Sequence, residues 1–143
     1  MLAWCQTGWD SGTELGEDMT KILVAEDERD IRELIGFTLR FAGYEVVLAN
    51  NGQEAVEKAP GEQPDLILLD VRMPKMTGYE ACRELKNDPQ TEGIPVVFLS
   101  AKGQEGEIEE GLASGALEYI VKPFAPDDLT RQVEEILERT GAG

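Results

Sequence analysis

The chain contains no histidine. That gap removes histidine-based zinc sites, Ser-His and Cys-His nucleophile pairs, and any phosphohistidine formed within the chain itself. Cysteine is nearly as scarce. Cys5 and Cys82 have neither the spacing of metal ligands nor the number needed for a disulfide framework. No apolar run is long enough to span a bilayer, and the stretch from Met1 to Asp18 lacks the basic start and apolar core of a secretory signal. A reduced, cytoplasmic setting is therefore expected. No G-x-G-x-x-G or G-x-x-x-x-G-K-[ST] pattern follows any apolar run, which counts against a nucleotide or dinucleotide site. Basic residues are outnumbered 13 to 29, giving a net charge of −16. Such a surface repels phosphate backbones and anionic lipid, so no direct nucleic-acid or membrane partner is expected.

What remains is enough for one core. The 143 residues match the size of a single domain, and 41% of them are hydrophobic. The stretch from Met1 to about Met19 has no periodicity. It reads as a disordered extension, an appended remnant, or an upstream addition to a chain that could start at Met19. From Lys21 the pattern alternates. Strands are expected over Lys21 to Ala25, Tyr44 to Ala49, Asp65 to Leu69, Ile94 to Leu99 and Leu117 to Val121. Between them lie helical patterns. The first carries Ile31, Leu34, Ile35, Thr38, Leu39 and Ala42 and is closed by Gly43. The second, Gln53 to Ala59, is ended by Pro60-Gly61. The third, with Tyr79, Cys82 and Leu85, opens at Thr77-Gly78 and stops near Asp88-Pro89. A polar, glycine-interrupted helix is expected over Gln104 to Ser114. The last presents Leu129, Val133, Ile136 and Leu137 on one face. Five strands alternating with five helices predict an α/β fold, a parallel sheet covered on both faces with right-handed crossovers.

The chemistry collects at the ends of the strands. Ile22-Leu23-Val24-Ala25 runs into Glu26-Asp27, Leu66-Ile67-Leu68-Leu69 into Asp70, Val96-Val97-Phe98-Leu99 into Ser100, and Tyr119-Ile120-Val121 into Lys122-Pro123. Open α/β sheets keep their ligand crevice at this edge. If Glu26, Asp27 and Asp70 meet there, their repulsion must be relieved, by protonation or by a bound hard cation. Carboxylates with room left for water suit Mg²⁺. A cation together with Lys122 favours an incoming phosphoryl group, Ser100 can hydrogen-bond one of its oxygens, and a carboxylate can form an aspartyl phosphate. Each residue also has a plainer role open to it. Glu26 and Asp27 can cap the first helix, Ser100 can cap the next, and Lys122 can be a solvated loop lysine. Asp70, directly behind four apolar residues, needs a partner in any reading.

Taken together, Glu26-Asp27, Asp70 with Met73-Pro74 and Gly78, Ser100-Ala101 and Lys122-Pro123-Phe124 make the chain resemble the receiver domain of bacterial two-component response regulators. The likeness runs from about Lys21 to Arg139, and the domain is placed at 20–140 behind the extension at 1–19. It implies a doubly wound, flavodoxin-like sheet of strand order 2-1-3-4-5. It implies that Asp70 is the phospho-acceptor. Asp27 and Asp70 ligate Mg²⁺, Glu26 supports it through water, and the backbone carbonyl of Arg72 completes the protein ligands. Ser100 becomes the switch hydroxyl, Lys122 the phosphate contact, and Tyr119 the rotating aromatic, with a cis Lys122-Pro123 bond. Arg72 and Lys102, two beyond Asp70 and Ser100, occupy positions that tune phosphate lifetime.

The implied function is a phosphorelay switch that receives its phosphoryl group from a histidine kinase or histidine phosphotransferase. It signals to a downstream output protein through the face formed by the fourth helix, fifth strand and fifth helix, as a monomer or a phosphorylation-dependent dimer. It is expected to catalyse its own transfer and slow dephosphorylation rather than act as an enzyme. Rival readings are a receiver module from a larger regulator or hybrid kinase, and a phosphorylation-independent adaptor. A Mg²⁺-dependent phosphohydrolase of the haloacid dehalogenase type is disfavoured because Arg72 stands where a second acid is needed.

Overall fold

Short apolar runs separated by 15 to 25 residues leave the chain one economical solution, parallel strands joined by helices that fold back over the sheet. The computed structural model describes residues 20–71, 73, 75–101, 118–122 and 125–140, and for Ala101, Glu118, Val121 and Lys122 the strand backbone only. The strands are β1 (Lys21–Ala25), β2 (Glu45–Ala49), β3 (Leu66–Asp70), β4 (Val96–Ala101) and β5 (Glu118–Lys122). All pair in parallel, in the order β2-β1-β3-β4-β5. The described helices are α1 (Arg29–Phe41), α2 (Gly52–Glu62), α3 (Gly78–Asn87) and α4 (Pro126–Thr140). The extension at 1–19 and the helix expected over 104–114 lie outside the described residues.

Strand periodicity divides the core in two. Leu23, Ile67, Leu69, Val96 and Phe98 point to the side that holds Ala55 and Ala59 of α2 and Ala81, Cys82 and Leu85 of α3. Ile22, Val24, Leu66, Leu68, Val97 and Leu99 point to the other, against Ile35 and Leu39 of α1 and Leu129, Val133, Ile136 and Leu137 of α4. The central strand β3 is buried along its whole length, as a parallel strand covered on both faces must be. Each fully buried Leu or Ile contributes roughly 1.5–3 kcal/mol, so this strand is the most firmly held segment of the sheet.

Helix ends follow local chemistry. After α1 the Gly43 N–H donates to Arg40 O and the Tyr44 N–H to Leu39 O, with Gly43 at φ 104°. This is the Schellman closure that needs glycine at its left-handed residue. Thr77 and Glu80 form a reciprocal capping box at the start of α3.

Three expectations are corrected. First, α2 does not end at Pro60-Gly61 but continues to Glu62. Proline falls in the last turn, where the loss of one N–H is offset by bonds that close the end. The Gln63 N–H donates to Ala59 O, and Lys21 Nζ to Glu62 O. Second, β3 runs one residue further than expected and includes Asp70, because the Val71 N–H continues the ladder to Leu99 O at 3.1 Å. Third, the stripe on α1 is narrower than its periodicity suggests. Ile35, Thr38 and Leu39 are buried, but Ala42 is exposed and Leu34 is 46% exposed, beside Phe37 and Phe41.

At the start of α2, Glu54 accepts from the Asn50 N–H at 3.0 Å and from Asn50 Nδ2 at 3.1 Å, while its own N–H is capped by Asn51. The Asn50 hydrogen bonds hold its carboxyl below the ordinary value of 4.5. A carboxyl lowered on folding adds stability that is present above its unfolded value and lost as pH falls through the folded one. Glu54→Gln is therefore expected to cost about 1 kcal/mol near neutral pH. That difference from the wild type should shrink as pH drops below 4.5, as followed by urea unfolding across a pH series.

Candidate functional site

β1 and β3 are neighbours in register, with Ala25 opposite Leu69, so the next residue of each, Glu26 and Asp70, stand side by side at the carboxyl edge. Glu26 is wholly buried and Asp70 nearly so, while Asp27 is exposed at the turn into α1. One carboxylate oxygen from each of the three lies within 4.8 Å of the others. The Glu26 main chain is fixed by its N–H bond to Ala49 O at 3.2 Å, and its carboxylate accepts from the Glu28 N–H at 3.2 Å. The sequence-predicted acids are thus brought together. Three hard oxygen donors with one open, solvated side fit a divalent cation better than any soft or nitrogen-seeking metal.

The loop that follows Asp70 is moulded around glycine. A Cβ on Gly78 would collide with the Asp70 carbonyl oxygen and lie 3.0 Å from Val71 Cα. The Gly78 N–H meanwhile donates to Val71 O at 2.9 Å. The first residue of α3 therefore rests directly on the backbone of the central acid. A Cβ on Gly52, the first residue of α2, would stand 2.6 Å from Met76 O in the same loop. Lys75 takes a left-handed φ of 69°, which costs a non-glycine residue about 1 kcal/mol and gives the loop its turn. Both glycine contacts pin the loop to helices that begin on either side of it.

The remaining predicted residues are spread along the same edge. Ser100 is buried in β4, one residue beyond Leu99, which pairs with Asp70. Tyr119 on the edge strand β5 is half-buried, opposite Phe98, and packs against the core on the α2–α3 side. Lys122 ends β5 in register with Ala101, which places its backbone one step beyond Ser100 and Val121. Arg72, Lys102 and Pro123 lie outside the described residues, as does the Lys122 side chain. Sequence reasoning missed Arg32, whose Nη1 donates to the Glu26 carbonyl at 3.0 Å. It also quoted Gly78 only as a helix opening and as part of a motif. The spacing of Arg32, six residues after Glu26, is the signal that could have found it, one and a half helical turns past an acidic turn.

A doubly wound sheet with an acidic pocket at its carboxyl edge defines an α/β domain whose clustered carboxylates suit a divalent cation. The chain belongs to the response regulator receiver domain family, whose model matches residues 22–134, and with it to two-component signalling. It is 45% identical over 122 residues to the phosphate regulon transcriptional regulatory protein PhoB of Pseudomonas aeruginosa, covering 85% of this chain and 53% of that protein. Among solved structures it resembles the chemotaxis response regulator CheY4 of Vibrio cholerae, with a TM-score of 0.79 and 37% identity over 83% of this chain and 99% of that one. It also resembles the receiver domain of sensor histidine kinase PA1611 from Pseudomonas aeruginosa, which carries a magnesium ion in its active-site cleft, with a TM-score of 0.75 and 33% identity over 82% and 96% of the two chains. The chain spans about half the length of the curated relatives it matches. Among the described residues no helix is long and apolar enough to cross a membrane.

Among the helical glycines, Gly78 and Gly36 make a contrasting pair. Gly78→Ala drives a methyl into backbone that cannot yield, and is expected to destabilise by about 1–3 kcal/mol. At Gly36 a Cβ would meet only flexible side chains, Leu48 at 3.3 Å and Arg40 Nη1 at 3.7 Å. Gly36→Ala is expected to be neutral or to stabilise by up to about 1 kcal/mol through helix propensity. Urea midpoints of the two variants, measured side by side, check both.

Proposed function

We propose that this chain is a phosphorylation-activated switch in which Asp70 is the phospho-acceptor. The observation that carries the reading is the convergence of Glu26 and Asp27 on Asp70 at the end of the central strand, with oxygens within 4.8 Å. A carboxylate oxygen of Asp70 attacks the phosphorus of a phosphohistidine on a partner histidine kinase or histidine phosphotransferase. The O–P bond forms as the N–P bond breaks, and the electron pair leaves with the imidazole, which takes up a proton. The donor acts in trans because this chain has no histidine. Attack of water on the phosphorus later restores the Asp70 carboxylate and releases inorganic phosphate. The chain thus catalyses its own modification and slow reversal, without turning over a separate substrate.

Asp27 and Asp70 would hold Mg²⁺ directly, with Glu26 acting through water and the Arg72 carbonyl as a further ligand. When bound, the ion supplies positive charge to the phosphoryl oxygens as transfer proceeds. Ser100 and the Lys122 ammonium receive those oxygens afterwards. The new group adds about −1.5 to −2 charges, drawing the ends of β4 and β5 inward. Tyr119 follows, and the face made by the expected fourth helix, β5 and α4 changes shape for an output protein. Arg72 and Lys102, two positions beyond Asp70 and Ser100, would tune the lifetime of the phosphate.

An apolar strip on α1 supports protein partners. Phe37 and Phe41 are 69% and 87% exposed, with stacked rings 6.4 Å apart, beside Leu34. They border a groove of about 530 Å³ completed by Pro126, Thr130 and Arg131 of α4. Contiguous exposed apolar surface of this kind marks interaction sites. The greater length of PhoB favours a second reading, in which the receiver serves as one module of a longer transcriptional regulator and passes its signal to an attached domain.

Incubation with acetyl phosphate and Mg²⁺, followed by intact mass measurement, is expected to add one phosphoryl group. The adduct should vanish in Asp70→Asn and in excess EDTA. An adduct that persists in either would refute the assignment.

A further inference from the structure

The β1–α1 turn carries two of the three acids, yet its own main-chain carbonyls precede the helical ladder. The first main-chain bond of α1 joins the Arg32 N–H to Glu28 O at 2.8 Å, so the carbonyls of Glu26 and Asp27 stand outside the helix. The Arg32 side chain reaches them. Its Nη1 donates to Glu26 O at 3.0 Å and approaches Asp27 O at 3.4 Å. Arg29, one turn earlier on the same helix, behaves otherwise and pairs with the exposed Glu33 at 3.7 Å. Arg32 is half-buried, and its charge also bears on Glu54 at the start of α2. One guanidinium thus ties the acidic turn to the body of α1.

We propose that Arg32 is a positioning residue for the divalent-cation pocket, holding the Glu26–Asp27 turn so that both carboxylates are presented toward Asp70. This rests on the reading of that pocket as a cation site. Two effects of opposite sign make the idea decidable. As a positive charge near a bound cation, Arg32 repels it, and its removal alone would tighten binding. As an anchor of ligand-bearing backbone, its removal loosens binding, and outer partners of this kind are typically worth 10- to 100-fold in metal affinity. A planar guanidinium on carbonyl oxygens, with its fork fixed by its own geometry, is suited to the second role.

The test is calorimetric titration of Mg²⁺ into the unphosphorylated protein, with thermal midpoints in EDTA recorded for every variant. Arg32→Met is expected to raise the Mg²⁺ dissociation constant about tenfold. Arg32→Lys, which keeps a donor and the charge, should recover most of that loss, and Arg29→Met should leave the constant unchanged. Should Arg32→Met fail to fold, Arg32→Gln carries the same comparison. Unchanged or tighter Mg²⁺ binding in the folded variant would overturn the proposal while leaving the cation site standing. An absence of Mg²⁺ binding in the wild type would instead overturn the site itself, and the positioning role with it.

Discussion

Like charges must be held together at one edge of the sheet, and the rest of the molecule is organised around that demand. Two ionised carboxylates 4.8 Å apart oppose each other by about 3 kcal/mol at an effective dielectric of about 20. Glu26 and Asp70 are both buried at that separation or closer. The opposition is offset by apolar packing directly behind them. Leu66, Ile67, Leu68 and Leu69 are fully buried in β3, as are Ile22, Leu23, Val24 and Ala25 in β1. Any two of the larger side chains contribute as much as the repulsion withdraws. A stiff platform can therefore carry an electrostatically unfavourable group.

The platform and the pocket are joined by close backbone approaches rather than by side-chain bulk. Gly78 lets α3 begin against the Asp70 carbonyl, and Gly52 lets α2 begin against Met76. The capping box at Thr77 and Glu80 and the Asn51 cap then fix where those helices start. Displacement of the loop after Asp70 would have to disturb two helix N-termini at once. The same logic extends to the β1–α1 turn, where Arg32 performs with a side chain what Gly78 and Gly52 achieve by lacking one. The exposed strip of Leu34, Phe37 and Phe41 lies on the helix that starts at the acidic turn. A partner resting on that strip would therefore lie against the same helix that carries the anchor of two pocket acids.

Much of this was legible in the chain. The apolar runs ending in Glu26-Asp27, Asp70 and Ser100 marked the interior strands and their functional ends, because burial on both faces leaves no polar alternation to confuse them. Glycine and proline were less reliable guides. Gly43 ended α1 as its residue type suggests, whereas Pro60 did not end α2, since Lys21 and Gln63 supply bonds from outside the helix. The periodicity of α1 likewise counted Leu34 among core positions, although it borders an open groove. A pattern of spacing records which residues share a face, not how far the neighbouring helix extends to cover it.

By itself, then, the sequence determined the element types, the two-sided core and the identity of the acids, since these follow from neighbours along the chain and from residue chemistry. Only the tertiary structure decided which oxygens meet and why residue 78 must be glycine. Those facts depend on distances through space between segments up to 44 residues apart, such as Glu26 and Asp70, and no local pattern encodes such a distance. Asp70 is an acid after four apolar residues in any reading of the chain. The register of β1 against β3 is what sets it beside Glu26.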